Sequence, residues 1–101
     1  MARVVWSPQA LADLAAIGDT LAREAPAYAQ AFVDGAFDAV ARLDAFPHSG
    51  RAVPEIGDPD LREVVYRGYR VFHIVEDAEV RILSVVHSAR QFGGDAGLEP
   101  R

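Results

Sequence analysis

The stretch VVYRGYRVFHIV, Val64 to Val75, constrains this chain more than any other. β-branched and aromatic residues dominate it. Its centre is Arg67-Gly68, a two-residue link carrying the glycine that a tight hairpin turn wants. LREVVY before the link and YRVFHIV after it read as two strands, and VRILSVV, reached through EDAE, reads as a third. The pattern predicts an antiparallel meander. In its middle strand Tyr69, Val71, His73 and Val75 share one face, and Arg70, Phe72 and Ile74 the other. Guanidinium groups in such a hairpin raise a question, because the formal net charge is -5. They either pair internally or await an acidic partner.

Before the meander the chain reads as one strand and two helices. RVVW, Arg3 to Trp6, is a short strand, and Ser7-Pro8 is a helix start, with serine as N-cap and proline at the first helical position. Leu11, Leu14, Ile17, Gly18 and Leu21 then keep helical spacing. Pro26 opens a second helix whose apolar stripe runs from Ala29 through Phe32, Val33, Ala36, Phe37, Val40 and Leu43 to Phe46. Phe32, Phe37 and Phe46 are expected in the core. Pro47 to Asp60 is rich in Pro and Gly and reads as a surface loop. The expected fold class is α+β: a strand, a two-helix hairpin and a three-stranded antiparallel meander, with the helices packed on one face of a four-stranded sheet. Val64, Phe72, Ile74, Leu83 and Val85 are assigned to a second apolar surface. Residues 1–92 are expected to form a single domain and 93–101 a flexible C-terminal tail.

Composition excludes several chemistries. The 101 residues contain no cysteine, so disulfides and thiolate metal or redox sites are ruled out. No apolar run approaches the ~20 residues of a membrane span and the N-terminus lacks a signal-peptide core, which places the chain in the cytoplasm, without a membrane partner. All 10 basic residues are arginine. Against 15 carboxylates they leave bulk electrostatics opposed to non-specific adhesion to phosphate backbones, so no direct DNA binding by this chain alone is expected.

The candidate chemistry lies in the second half. Arg51, Arg62, Arg67, Arg70, Arg81 and Arg90 can pair across strands with Glu55, Glu63, Asp77 or Glu79, or can present bidentate forks to carboxylates or phosphate. His48, His73 and His87 lack metal-ligand spacing, so neither metal nor cofactor is expected. RNA cleavage needs a base, an acid and a cation for the phosphate, and Tyr69, Arg70, His87 and Arg90 supply those types on adjacent strands. No serine sits in a nucleophile elbow, and Gly93-Gly94 forms no phosphate-binding loop.

Four segments in order, VVWSPQALADLAAI, FPHSGRAVPEI, LREVVYRGYRVFHIV and VRILSVVHSAR, resemble the RelE/ParE superfamily of toxins from type II toxin-antitoxin systems. GRAVPE and YRVF look closer to the ParE branch, which is associated with inhibition of DNA gyrase, than to the ribosome-dependent messenger RNA endoribonucleases. The resemblance implies a growth-inhibiting toxin, a cognate ParD-like antitoxin of ribbon-helix-helix type that folds on binding, and gyrase as target. Under this reading no residue is catalytic, and Arg51, Glu55, Arg62, Arg70 and Arg90 contact the antitoxin. The alternative is a RelE-type nuclease using Tyr69, Arg70, His87 and Arg90.

Overall fold

A computed structural model describes residues 2–88. The elements in chain order are β1 (Arg3–Trp6), α1 (Pro8–Ala22), α2 (Pro26–Ala41), a 3-10 turn (Arg42–Asp44), β2 (Arg51–Ala52), β3 (Leu61–Tyr66), β4 (Tyr69–Glu76) and β5 (Glu79–His87). The strands form a five-stranded sheet in the order β1-β5-β4-β3-β2, antiparallel except where β1 pairs in parallel with β5. The expected α+β class, meander and helical hairpin are all present. The strand count differs. Arg51 and Ala52, assigned to the loop, pair with Glu63 and Arg62 and add the fifth strand. Two residues are too few for a periodic signal, so only pairing reveals them.

Ser7 performs two tasks at the entry to α1. Its hydroxyl accepts the Ala10 N–H at 3.0 Å as N-cap, and donates at 3.1 Å to the Leu83 carbonyl of β5. Ala10 and Leu14 of α1, and Ala29, Phe32, Ala36 and Val40 of α2, are buried. Ala10 and Val40 pack with Val71 of β4 and Val80, Ile82 and Val85 of β5, whereas Leu14, Phe32 and Ala36 form a second cluster against Trp6, Tyr66 and Tyr69. The stripe of α2 ends sooner than expected: the α-helix stops at Ala41, the 3-10 turn buries Leu43, and Phe46 is 66% exposed. Phe37 also lies outside the core, resting on Trp6 with ring centroids 4.8 Å apart. Only Phe32 of the three phenylalanines is a core residue. The tighter 3-10 turn keeps Leu43 buried but carries Phe46, past its end, off the buried stripe.

A β-bulge decides which side chains of β5 face the helices. His73 pairs with Ile82 but Phe72 pairs with Ser84, so Leu83 is the extra residue. The insertion turns Val85 to the helix side, against the expectation that it joins Leu83 on the second surface. Val64, opposite Val71, likewise packs on the helix side. The outer face holds Val53, Leu61 and Phe72, with Ile56, Leu83 and Val86 against them. The segment from Val53 to Asp60 therefore lies across the sheet rather than away from it. Arg90 and the expected tail at 93–101 fall outside the described residues.

Candidate functional site

Arg70 belongs to the outer face of β4, as alternation requires, and is 6% exposed. Its Nε donates to Glu63 Oε1 at 2.8 Å, and its two terminal nitrogens donate to the carboxylate of Glu55 at 2.9 and 3.0 Å. The guanidinium lies 4.9 Å from the centroid of the Phe72 ring. Glu63, 1% exposed, is shared: its second oxygen accepts from Nε of Arg51. Arg51, Glu63, Arg70 and Glu55 thus alternate in sign along one chain of contacts from the surface, through the interior, and back. A carboxylate as buried as Glu63 is tolerable only with such partners. Mainly through its hydrogen bonds from Arg70, the Glu55 carboxyl is held below its ordinary value, and the same bonds raise Arg70.

The remaining predicted residues have other surroundings. Arg62 donates to the carbonyls of Pro59 and Gly50, both at 3.0 Å, tying the segment before β2 to the one before β3. Tyr69 and His87 meet edge to face on the helix side, ring centroids 5.3 Å apart. They reach that side together because the bulge shifts the parity of β5, whereas Arg70, one residue along β4, points through the opposite face. The structure therefore brings Tyr69 and His87 together and separates both from Arg70. His73 is 0% exposed, opposite Arg62 on β3. Among the described residues neither ring nitrogen makes a well-formed hydrogen bond, and burial, foremost, pushes its imidazole below the ordinary value against the opposing pull of the nearby Val71 and Pro47 backbone. No three His, Asp or Glu side chains among the described residues are placed to hold a metal ion.

Two surface features bear on partners. A groove of about 570 Å³ runs between the end of α2 and the edge of β3, lined by Ala39, Leu43, Phe46 and Val65 with Arg42 and Arg51 along it. β2 covers β3 only at Arg62 and Glu63, so the strand edge beyond is open to the groove. At the far end of β3 is the turn with Arg67 at φ 47° and Gly68 at φ 84°. Positive φ at both central residues defines a type I′ turn, where asparagine, aspartate or glycine is the ordinary first residue. Arginine there is the sequence signal that marks Arg67 out, and its guanidinium carbon stands 5.9 Å from the Tyr28 ring centroid and 5.7 Å from that of Tyr66.

Comparison with known proteins bears on this geometry. The family described as "ParE toxin of type II toxin-antitoxin system, parDE" matches residues 4–92. The curated protein "Toxin RelE2" of Caulobacter vibrioides is 37% identical over 91 residues, spanning 89% of this chain and 99% of that protein. A solved chain from the chromosomal ParDE toxin-antitoxin system of P. aeruginosa has the same fold, with a TM-score of 0.74 at 24% identity, covering 86% of this chain and 96% of that one. Among the described residues no helix is long and apolar enough to cross a membrane.

Proposed function

Because the chain belongs to the ParE toxin family of type II toxin-antitoxin systems, we propose that it arrests growth in the cytoplasm by binding a protein target, DNA gyrase, without catalysing a reaction itself. The observation that supports this reading is the division of the three described nuclease candidates, Tyr69, His87 and Arg70, between two faces of the sheet; Arg90, the other candidate cation, lies outside the described residues. Tyr69 and His87 stand on the helix side, and Arg70 spends its guanidinium on Glu55 and Glu63. An acid, a base and a phosphate-stabilising cation must converge within hydrogen-bond reach of one reacting group. A cation on the opposite face of the sheet does not converge with them.

The cognate antitoxin, in the same reading, is of ribbon-helix-helix type and neutralises the toxin through a segment that folds on binding. Its apolar side chains occupy the groove beside β3, and its carboxylates meet Arg51 at the surface. Of the remaining contacts expected from the sequence, Glu55 lies at the surface beside Arg51, while Arg62 and Arg70 act from beneath as positioning residues. Arg90, outside the described residues, completes the set.

Supercoiling by gyrase and cleavage of ribosome-bound message, assayed side by side with purified toxin, test the target. Loss of supercoiling that scales with the toxin to gyrase ratio is the expected result, with His87→Ala as active as the wild type. Message cleavage without an effect on supercoiling would overturn the reading.

A further inference from the structure

Arg67 occupies a position where its backbone is unfavourable. A non-glycine residue at φ 47° is uncommon, and neither the hairpin nor the type I′ turn requires a long cationic side chain there. What the side chain does once placed is specific. Its guanidinium is exposed and flanked by two phenol rings, Tyr66 from its own strand and Tyr28 from the first turns of α2. Tyr66 is itself fixed, since its hydroxyl donates to the Phe32 carbonyl at 2.9 Å. It also lies so close to Gly35 that any side chain at that glycine would collide with it. The guanidinium lies over both rings and donates to the Tyr28 hydroxyl, foremost, and to that of Tyr66, which raises its pKa above the ordinary value; its N–H donors outnumber what two phenols accept, so part of its N–H edge is left for a ligand. Among the described residues no carboxylate forms an ion pair with that edge, in contrast to Arg3, Arg51, Arg70 and Arg81. Tyr28 is 43% exposed, so the cation stands beside aromatic surface that is open to a partner. Tyrosine and arginine side by side is the composition of residues that dominate protein–protein binding energy.

We propose that the Tyr28–Arg67–Tyr66 stack is the contact through which this toxin engages a carboxylate-bearing segment of the protein it inhibits. The proposal rests on the reading of the chain as a target-binding toxin and names the part of the surface involved. The partner is a protein with acidic side chains rather than a nucleic acid, because a chain of net charge -5 has no surrounding positive field to hold a phosphate backbone. It is the target rather than the antitoxin because the stack lies at the opposite end of β3 from Arg51 and Arg62. Five residues of extended chain separate Arg62 from Arg67, roughly 17 Å.

Arg67→Asn separates this role from a structural one, since asparagine suits a left-handed backbone position that arginine does not. Three quantities are measured: growth inhibition on induced expression, affinity for the cognate antitoxin, and the melting temperature. Expected for Arg67→Asn are at least a tenfold loss of growth-inhibiting potency, antitoxin affinity within twofold of wild type, and a melting temperature equal or higher. Arg67→Glu should lose potency further. Wild-type potency in both variants would overturn the proposal. So would a parallel loss of antitoxin affinity, which would assign the stack to the antitoxin, or a fall in melting temperature along with potency, which would assign Arg67 to the framework. Growth inhibition does not depend on which target is hit. A wild-type toxin that arrests growth yet leaves supercoiling untouched therefore refutes gyrase as target while the effect of Arg67 is still read. A wild-type toxin that does not arrest growth refutes both.

Discussion

Replacing Arg70 with alanine should destabilise this protein more than most single substitutions, and the size of the effect is set by the groups left behind. Glu63 is 1% exposed and would stay buried with one of its two arginines gone, and the Glu55 carboxylate would lose both of its bonds to Arg70. Removing one partner of a buried ion pair costs about 3–5 kcal/mol. Because Arg51 continues to hold the second oxygen of Glu63, the low end, about 3 kcal/mol, is expected here. A domain of this size loses roughly 4–8 °C of melting temperature per kcal/mol, so Arg70→Ala should melt about 12–24 °C below wild type at neutral pH. Thermal unfolding followed by circular dichroism measures it. The pair is costly to break rather than intrinsically strong, so Glu63→Leu with Arg70→Met should recover most of the loss. The acid limb provides a further check. Glu55 has a folded pKa depressed below 4.5, chiefly by its bonds from Arg70, so its contribution is present above 4.5 and fades as pH falls through the folded value. In Arg70→Ala that part of the acid destabilisation should shrink, and only modestly, because Glu55 is exposed enough for water to screen it. A melting temperature within about 5 °C of wild type would refute this account of the network.

Other expectations rest on the same packing. His73 is buried with its pKa below the ordinary 6.5, so the unfolded chain takes up a proton first as pH falls. The stability contributed by the neutral ring is complete above 6.5 and declines below it, with Arg62 and His48 adding to the cost of charging. His73→Phe should flatten urea-unfolding stability between about pH 6.5 and 5; an unchanged slope there would contradict it. Gly50→Ala places a methyl 2.5 Å from the backbone oxygen of Glu63 and 3.0 Å from the His73 ring, where the backbone has to give way. A loss of at least about 2 kcal/mol is expected in denaturant titration, against under about 0.5 for an ordinary exposed site. Asp13 accepts the Val85 N–H at 2.9 Å on the stretch of β5 that β1 leaves uncovered. Asp13→Ala should cost about 1–2 kcal/mol and promote self-association through the freed edge. Unchanged stability together with unchanged sedimentation would argue against it.

Elements whose signal is local could be read before any coordinates. Ser7-Pro8 starts α1 because capping needs only a hydroxyl and a fixed φ within one turn, and the Arg67-Gly68 hairpin is likewise written in adjacent residues. The features that escaped the sequence depend on residues far apart along the chain. Glu55 and Arg70 are 15 positions apart, Arg51 and Glu63 are 12, and nothing in the spacing tells a guanidinium which carboxylate it will meet. Internal pairing is one of two readings open for these arginines, and Arg51, Arg70 and Arg81 take it.

The chain's own alternation, caps and turn residues determined a helical hairpin packed on an antiparallel meander, because those preferences act over two to four residues and do not wait for the core. Tertiary structure decided the rest. An inserted residue at Leu83 set which face His87 occupies, and the fold of Val53 to Asp60 across the sheet enclosed Arg70. Both outcomes turn on register and on long-range contact, where a shift of one residue reverses the face of every side chain beyond it.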